Sequence, residues 1–176
     1  MNQISFPHAR LQKTYICQGE FAILKQSDSC ISTLLGSCVS ACIWDPQEMV
    51  GGMNHVLFVG GYSDAEEHFG YGVNGMELLI NGLLKAGARR QNMRAKVFGG
   101  AQMFDGLSDA GSRNGEFVLD FLSRESIAYV GGDIGGVKAR QVEFHPATGR
   151  ARQKLINDRV CAAPVLQDTG TGIELF

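Results

Sequence analysis

The chain has 176 residues, 44% of them hydrophobic, with 23 glycines and a formal net charge of -2. This length suits one domain with a substantial core, and the composition excludes a disordered or low-complexity chain. Overall charge offers no basic footprint for nucleic acid, and no apolar run reaches the roughly eighteen residues a membrane-spanning helix needs.

Five cysteines, at positions 17, 30, 38, 42 and 161, form an odd set without the density of a disulfide scaffold, which fits a reducing cytoplasm. Residues 1–13 carry no apolar core of signal-peptide length and no period, and read as a flexible N-terminal arm. Tyr15 to Leu24 has strand composition, and Lys25-Gln26-Ser27-Asp28 is a polar turn. Ile31 to Leu35 is a short strand running into a Gly36-Ser37-Cys38 bend. Val39 to Trp44 is almost wholly apolar or small, as a strand buried on both faces would be, and Asp45-Pro46 ends it. Val50 to Val59 resumes as a strand that carries His55 within it.

Gly60 to Gly72 reads as a glycine-rich surface loop. Val73 to Ala86 is the best helix: Val73, Met76, Ile80 and Leu83 make one apolar stripe, and Gly87 stands where a C-cap is wanted. Ala95 to Phe98 is a strand leading into Gly99-Gly100, a pair that suits close backbone packing near the cysteine. A second helix is expected from about Asn114 to Ser126, with Phe117, Val118, Phe121 and Leu122 inward and Ser112 or Asn114 near its cap. Ile127 to Val130, Arg140 to Phe144 and Arg150 to Ile156 read as further strands. Strands with two intercalated helices indicate an α/β fold: one domain over residues 14–160, a layered sandwich with a mixed sheet, followed by a C-terminal tail at 161–176.

The chemistry concentrates between Ser32 and His55. Cys38 sits on a Gly-Ser shoulder, and a strand, an Asp-Pro turn and a second strand bring His55 back toward it. A thiol and an imidazole within hydrogen-bond reach are the minimum set for nucleophilic catalysis, and a neighbouring His55 is expected to favour the thiolate. The competing reading of a cysteine in such an apolar run is a buried core residue.

Thr33-Leu34-Leu35-Gly36-Ser37-Cys38-Val39 followed by Gly51-Gly52-Met53-Asn54-His55 resembles the signature of the chemoreceptor glutamine deamidases, the CheD family of bacterial chemotaxis. Collinear matches follow at Gly19-Glu20-Phe21-Ala22, Met76-Glu77-Leu78-Leu79-Ile80, Ala95-Lys96-Val97-Phe98-Gly99-Gly100-Ala101, Arg113-Asn114, Asp133-Ile134-Gly135-Gly136 and Pro146-Ala147-Thr148-Gly149-Arg150. The resemblance implies a protein-glutamine deamidase whose substrates are cytoplasmic regions of methyl-accepting chemoreceptors. It also implies a CheC-type chemotaxis phosphatase as a candidate partner. Under it Cys38 is the nucleophile and His55 the general base and acid, while backbone amides of the Gly36-Ser37-Cys38 bend serve as oxyanion donors. A hydroxyl shortly before the cysteine completes the family's site by orienting the histidine. Ungapped counting puts Ser32 there, and Ser32 is the expectation adopted; residue identity points to Thr33, which remains the alternative. The mechanism requires no metal and no cofactor.

Other readings weigh less. Cys42 with Cys38 and His55 could suggest zinc, but a fourth ligand and a paired Cys-x-x-Cys are lacking, so Cys42 reads as core. A Cys38–Cys42 redox pair would span about 13 Å in a regular strand, beyond disulfide geometry. His8, His68 and His145 read as solvated or turn histidines, and Trp44 as a core residue beside the active strand. A non-catalytic receptor-binding adaptor is the alternative function, and it needs neither Cys38 nor His55.

Overall fold

The computed structural model describes residues 12–25, 27–57, 65–103 and 110–156, and for 65–71 the backbone alone. Strands β1 (Gln12–Tyr15), β2 (Phe21–Leu24), β3 (Ser29–Leu35), β4 (Val39–Asp45) and β5 (Val50–Asn54) precede helix α1 (Ala65–Lys85). Then come β6 (Arg94–Gly99), α2 (Ala110–Arg124), β7 (Ala128–Ile134), β8 (Arg140–His145) and β9 (Arg150–Leu155). They form a four-stranded sheet in the order β1-β3-β8-β9 and a five-stranded sheet in the order β2-β5-β4-β6-β7. The β1–β3 and β6–β7 pairs are parallel and the others antiparallel, so both sheets are mixed, as the α/β reading expected.

Strand β4 explains the layering. Its seven residues are all buried, and successive side chains leave opposite faces. Val39, Ala41 and Ile43 meet Met76, Leu79, Ile80 and Leu83 of α1 and Val118 and Leu122 of α2. Cys42 and Trp44 enter a second core with Ile31, Leu35, Met53, Phe98, Val142 and Phe144, between the two sheets. The molecule is thus three layers deep, with helices on one face of the central five-stranded sheet and the four-stranded sheet on the other. Trp44 is buried there, tilted against Phe144. No helix among the described residues is long and apolar enough to cross a membrane.

Four expectations change. Helix α1 begins at Ala65, not Val73, so the stretch read as a loop is helical from 65 onward; residues 60–64 lie outside the described residues. Glycines at 60, 61, 70 and 72 suggested the loop, yet glycine is compatible with this helix, whose Gly82 serves packing, since a Cβ there would run into Ile23. Helix α2 begins at Ala110, which places Ser112 and Asn114 inside it, and Asn114 is fully buried rather than capping. Strand β5 stops at Asn54, so His55 follows the strand. Gln12 and Lys13, assigned to the N-terminal arm, are the start of β1; residues 1–11 and the tail 161–176 lie outside the described residues.

Candidate active site

The site opens at one end of the two sheets and draws on both. In β3 the apolar Ile31 and Leu35 fill the inter-sheet core, and with a period of two Thr33 must face the same way. Its hydroxyl lies 2.8 Å from His55 Nδ1 and donates to the Ile16 carbonyl oxygen at 2.7 Å. Ser32 faces the other way, and its hydroxyl donates to the Val142 carbonyl oxygen at 3.0 Å. The expectation that Ser32 reaches the His55 ring is therefore corrected: the hydroxyl against the imidazole belongs to Thr33. A threonine hydroxyl has one proton, and here it goes to a carbonyl that can only accept. Oγ1 must then accept from Nδ1–H, which leaves Nε2 as the ring's free lone pair.

His55 is held by its backbone as well. Its N–H donates to the Glu20 carbonyl at 2.9 Å and its carbonyl accepts from Gly19 N–H at 2.8 Å, continuing the β2–β5 pairing into the Cys17–Glu20 turn. Asn54, just before it, accepts from Ala41 N–H through Oδ1 at 2.8 Å and donates to the Gly75 carbonyl at 3.3 Å, tying β5 to β4 and to α1. Sequence reasoning missed this anchoring turn and the role of Asn54; the glycine at position 19, which takes a positive φ of 82 in the turn, was the one legible hint.

Cys38 precedes β4 and is half-buried. Cys42 stands opposite Met53, and Val39 pairs with Val56 beyond the regular ladder. By that alternation His55 and Cys38 project from the same face, one ladder step apart, toward the sheet that carries Thr33. Cys38 accordingly packs against the inter-sheet core. The Cys38 carbonyl accepts from Gly100 N–H at 2.8 Å and the Gly36 carbonyl from Ala101 N–H at 2.9 Å. Gly99 (φ 112) permits that approach, because a Cβ there would collide with the Cys38 carbonyl.

Burial governs the charge state of the pair. It pushes the Cys38 thiol up to about 11, against a smaller opposing effect of its own backbone N–H. It pushes the His55 imidazole down to about 4, with Glu20 a weaker influence upward. The expected thiolate is not favoured at rest: burial leaves Cys38 a thiol and His55 a neutral imidazole at neutral pH. Beside His55 lies a cleft of about 290 Å³ lined by Gln18, Glu20, Phe21, Asn74 and Leu78. Gln18 holds its carboxamide oxygen 4.0 Å from Cys38 Sγ.

The remaining candidates lie elsewhere. Cys42 is fully buried in the inter-sheet core, and Cys30 is buried too. Cys17 is exposed. His145 ends β8. His8 and Cys161 lie outside the described residues, as does the side chain of His68.

Cys38 before β4 and His55 after β5, with the Thr33 hydroxyl of the other sheet against the imidazole, make a candidate thiol-dependent site on an α/β sandwich. The chain belongs to the CheD family. Residues 60–155 match the family described as CheD chemotactic sensory transduction. A Caulobacter vibrioides protein named probable chemoreceptor glutamine deamidase CheD is 49% identical over 158 residues, covering 86% of this chain and 84% of that one. A share of that size takes in both Cys38 and His55 wherever it begins. An Acidiphilium cryptum relative of the same name is 47% identical over 80% of this chain and 76% of its own. A Ruegeria protein named as CheD 1 is 46% identical over 81% and 76%. Likeness to a Neisseria meningitidis protein of family DUF152 is loose, at 11% identity and a TM-score of 0.44 over 69% of this chain and 63% of that one.

Proposed function

We propose that this protein is a protein-glutamine deamidase of the cytoplasm, converting glutamine side chains in the cytoplasmic regions of methyl-accepting chemoreceptors to glutamate. The observation that carries the reading is the Thr33–His55 contact at 2.8 Å beside Cys38, which leaves an unprotonated imidazole nitrogen for the thiol. The substrate comes from the names of the relatives.

Cys38 Sγ attacks the side-chain carbonyl carbon while His55 Nε2 takes the thiol proton. The developing oxyanion is met by the backbone N–H groups of Ser37 and Cys38, at the bend that begins with Gly36. His55 returns the proton to nitrogen, ammonia leaves, and a γ-glutamyl thioester remains. A water deprotonated by His55 attacks the thioester, releasing glutamate and restoring the thiol. Thr33 keeps Nδ1 protonated and the ring in place throughout. No step needs a metal or cofactor.

Converting glutamine to glutamate adds negative charge to a helical receptor bundle and shifts its conformational equilibrium. A CheC-type phosphatase, the candidate partner the family resemblance implies, would compete with receptors for the same surface. High-resolution mass analysis of a receptor cytoplasmic fragment incubated with the protein tests the function. The reading expects the mass gain of amide to acid at specific glutamines, and binding without any gain would make the protein an adaptor.

A further inference from the structure

Three successive carbonyls around the nucleophile are each tied down by a donor from outside the bend. Gly36 is bound by Ala101 N–H at 2.9 Å and Cys38 by Gly100 N–H at 2.8 Å. The middle one, Ser37, accepts from Asn114 Nδ2 at 2.8 Å. Asn114 sits in the second turn of α2, fully buried. In a trans peptide the C=O and the following N–H point in opposite directions. Binding the Gly36 carbonyl therefore aims Ser37 N–H away from Ala101, and binding the Ser37 carbonyl aims Cys38 N–H away from α2.

We infer that Asn114 is a positioning residue for the reaction, whose side-chain amide sets the direction of the Cys38 N–H that receives the oxyanion. The inference rests on the proposed deamidase reading. A backbone donor has no side chain of its own to correct its aim, so a fixed carbonyl on the far side of the same peptide plane does that work. Ala101 and Gly100 supply only backbone N–H groups, which leaves Asn114 as the one side chain that clamps this bend among the described residues.

The test replaces Asn114 with leucine, which is close in size and has no donor, and compares three quantities with wild type on one receptor fragment. The expected result is a kcat lower by at least about tenfold, below the roughly 10²–10³-fold cost of removing an oxyanion donor because here the donor is misdirected and not lost, and an unchanged KM. Iodoacetamide alkylation of Cys38, which builds no oxyanion, should stay within about threefold of wild type. An unchanged kcat overturns the inference, as does an alkylation rate that falls in proportion to kcat, since the latter marks general disorder of the bend. If Asn114→Leu does not fold, Asn114→Asp decides. A carboxyl donates only when protonated, so the ratio of its kcat to wild type should rise as pH falls, and a flat ratio overturns the inference. Failure of the deamidase reading shows separately, as absence of turnover by wild type.

Discussion

Thr33 has the smallest part and the sharpest consequence. Its single proton is committed to the Ile16 carbonyl, so its oxygen fixes the His55 tautomer. Thr33→Val keeps the shape, removes that acceptor and should lower kcat by about tenfold or more, less than the roughly hundredfold or greater loss expected when the acid–base group itself is removed. Ser32→Ala should leave kcat within about twofold of wild type, because that hydroxyl serves Val142 on the adjacent strand. Turnover and thermal melts of the two variants together check this. The charge state of Cys38 gives a second expectation. With the thiol pushed up to about 11 and Cys17 exposed, brief iodoacetamide treatment at neutral pH should label Cys17 first without loss of activity. Peptide mapping with time-matched assays reads the order, and activity should fall only as Cys38 is labelled. His55 supplies the pH dependence: an imidazole pushed down to about 4 stays a competent base well below the usual histidine range. The kcat/KM profile should lack a limb near the ordinary histidine pKa of about 6.5 and fall only on approach to pH 4.

At the scale of elements, β3 shows what could be read from the chain and what was misread. Ile31-x-Thr33-x-Leu35 is an apolar alternation with threonine in register, and that period alone assigns Thr33 to the inter-sheet face. Counting from Cys38 overrode it, because the Gly36-Ser37 bend breaks the strand and the count across it carries no phase. Strand β4 was legible because a run buried on both faces has no polar alternative. The first part of α1 was not legible, since glycine signals both turn and close packing. Asn114 misled for a related reason: an asparagine near a helix start suggests a cap, and only the tertiary structure shows the Ser37 carbonyl it serves. The packing of α1 separates stability from chemistry. Leu83 is fully buried against the central sheet, so Leu83→Ala should cost about 2–5 kcal/mol of stability and leave kcat nearly unchanged below its lowered melting point. Denaturant titration and assays at a permissive temperature measure both.

For the whole molecule, the decisive feature is that the site is shared by two sheets. Thr33 comes from the four-stranded sheet, while Cys38 and His55 directly flank strands β4 and β5 of the five-stranded one, so the constellation exists only while the inter-sheet core is closed. Buried neutral histidine also links the site to global stability. The unfolded chain would bind a proton at His55 near pH 6.5, while the folded chain resists until about 4. His55 therefore favours unfolding increasingly as pH falls through that window and has no such effect above it. His55→Gln should lessen the loss of stability between those pH values, by an amount on the order of a few kcal/mol at most, as read from denaturant midpoints. Covalent catalysis by Cys38, with Thr33 and His55 behind it, leaves a trappable intermediate. Acid quenching of the enzyme during turnover of a receptor fragment, followed by peptide mapping, should yield a receptor peptide joined to Cys38 through a former glutamine that has lost ammonia, with no adduct and no turnover in Cys38→Ala; undiminished ammonia release by Cys38→Ala would rule covalent catalysis out.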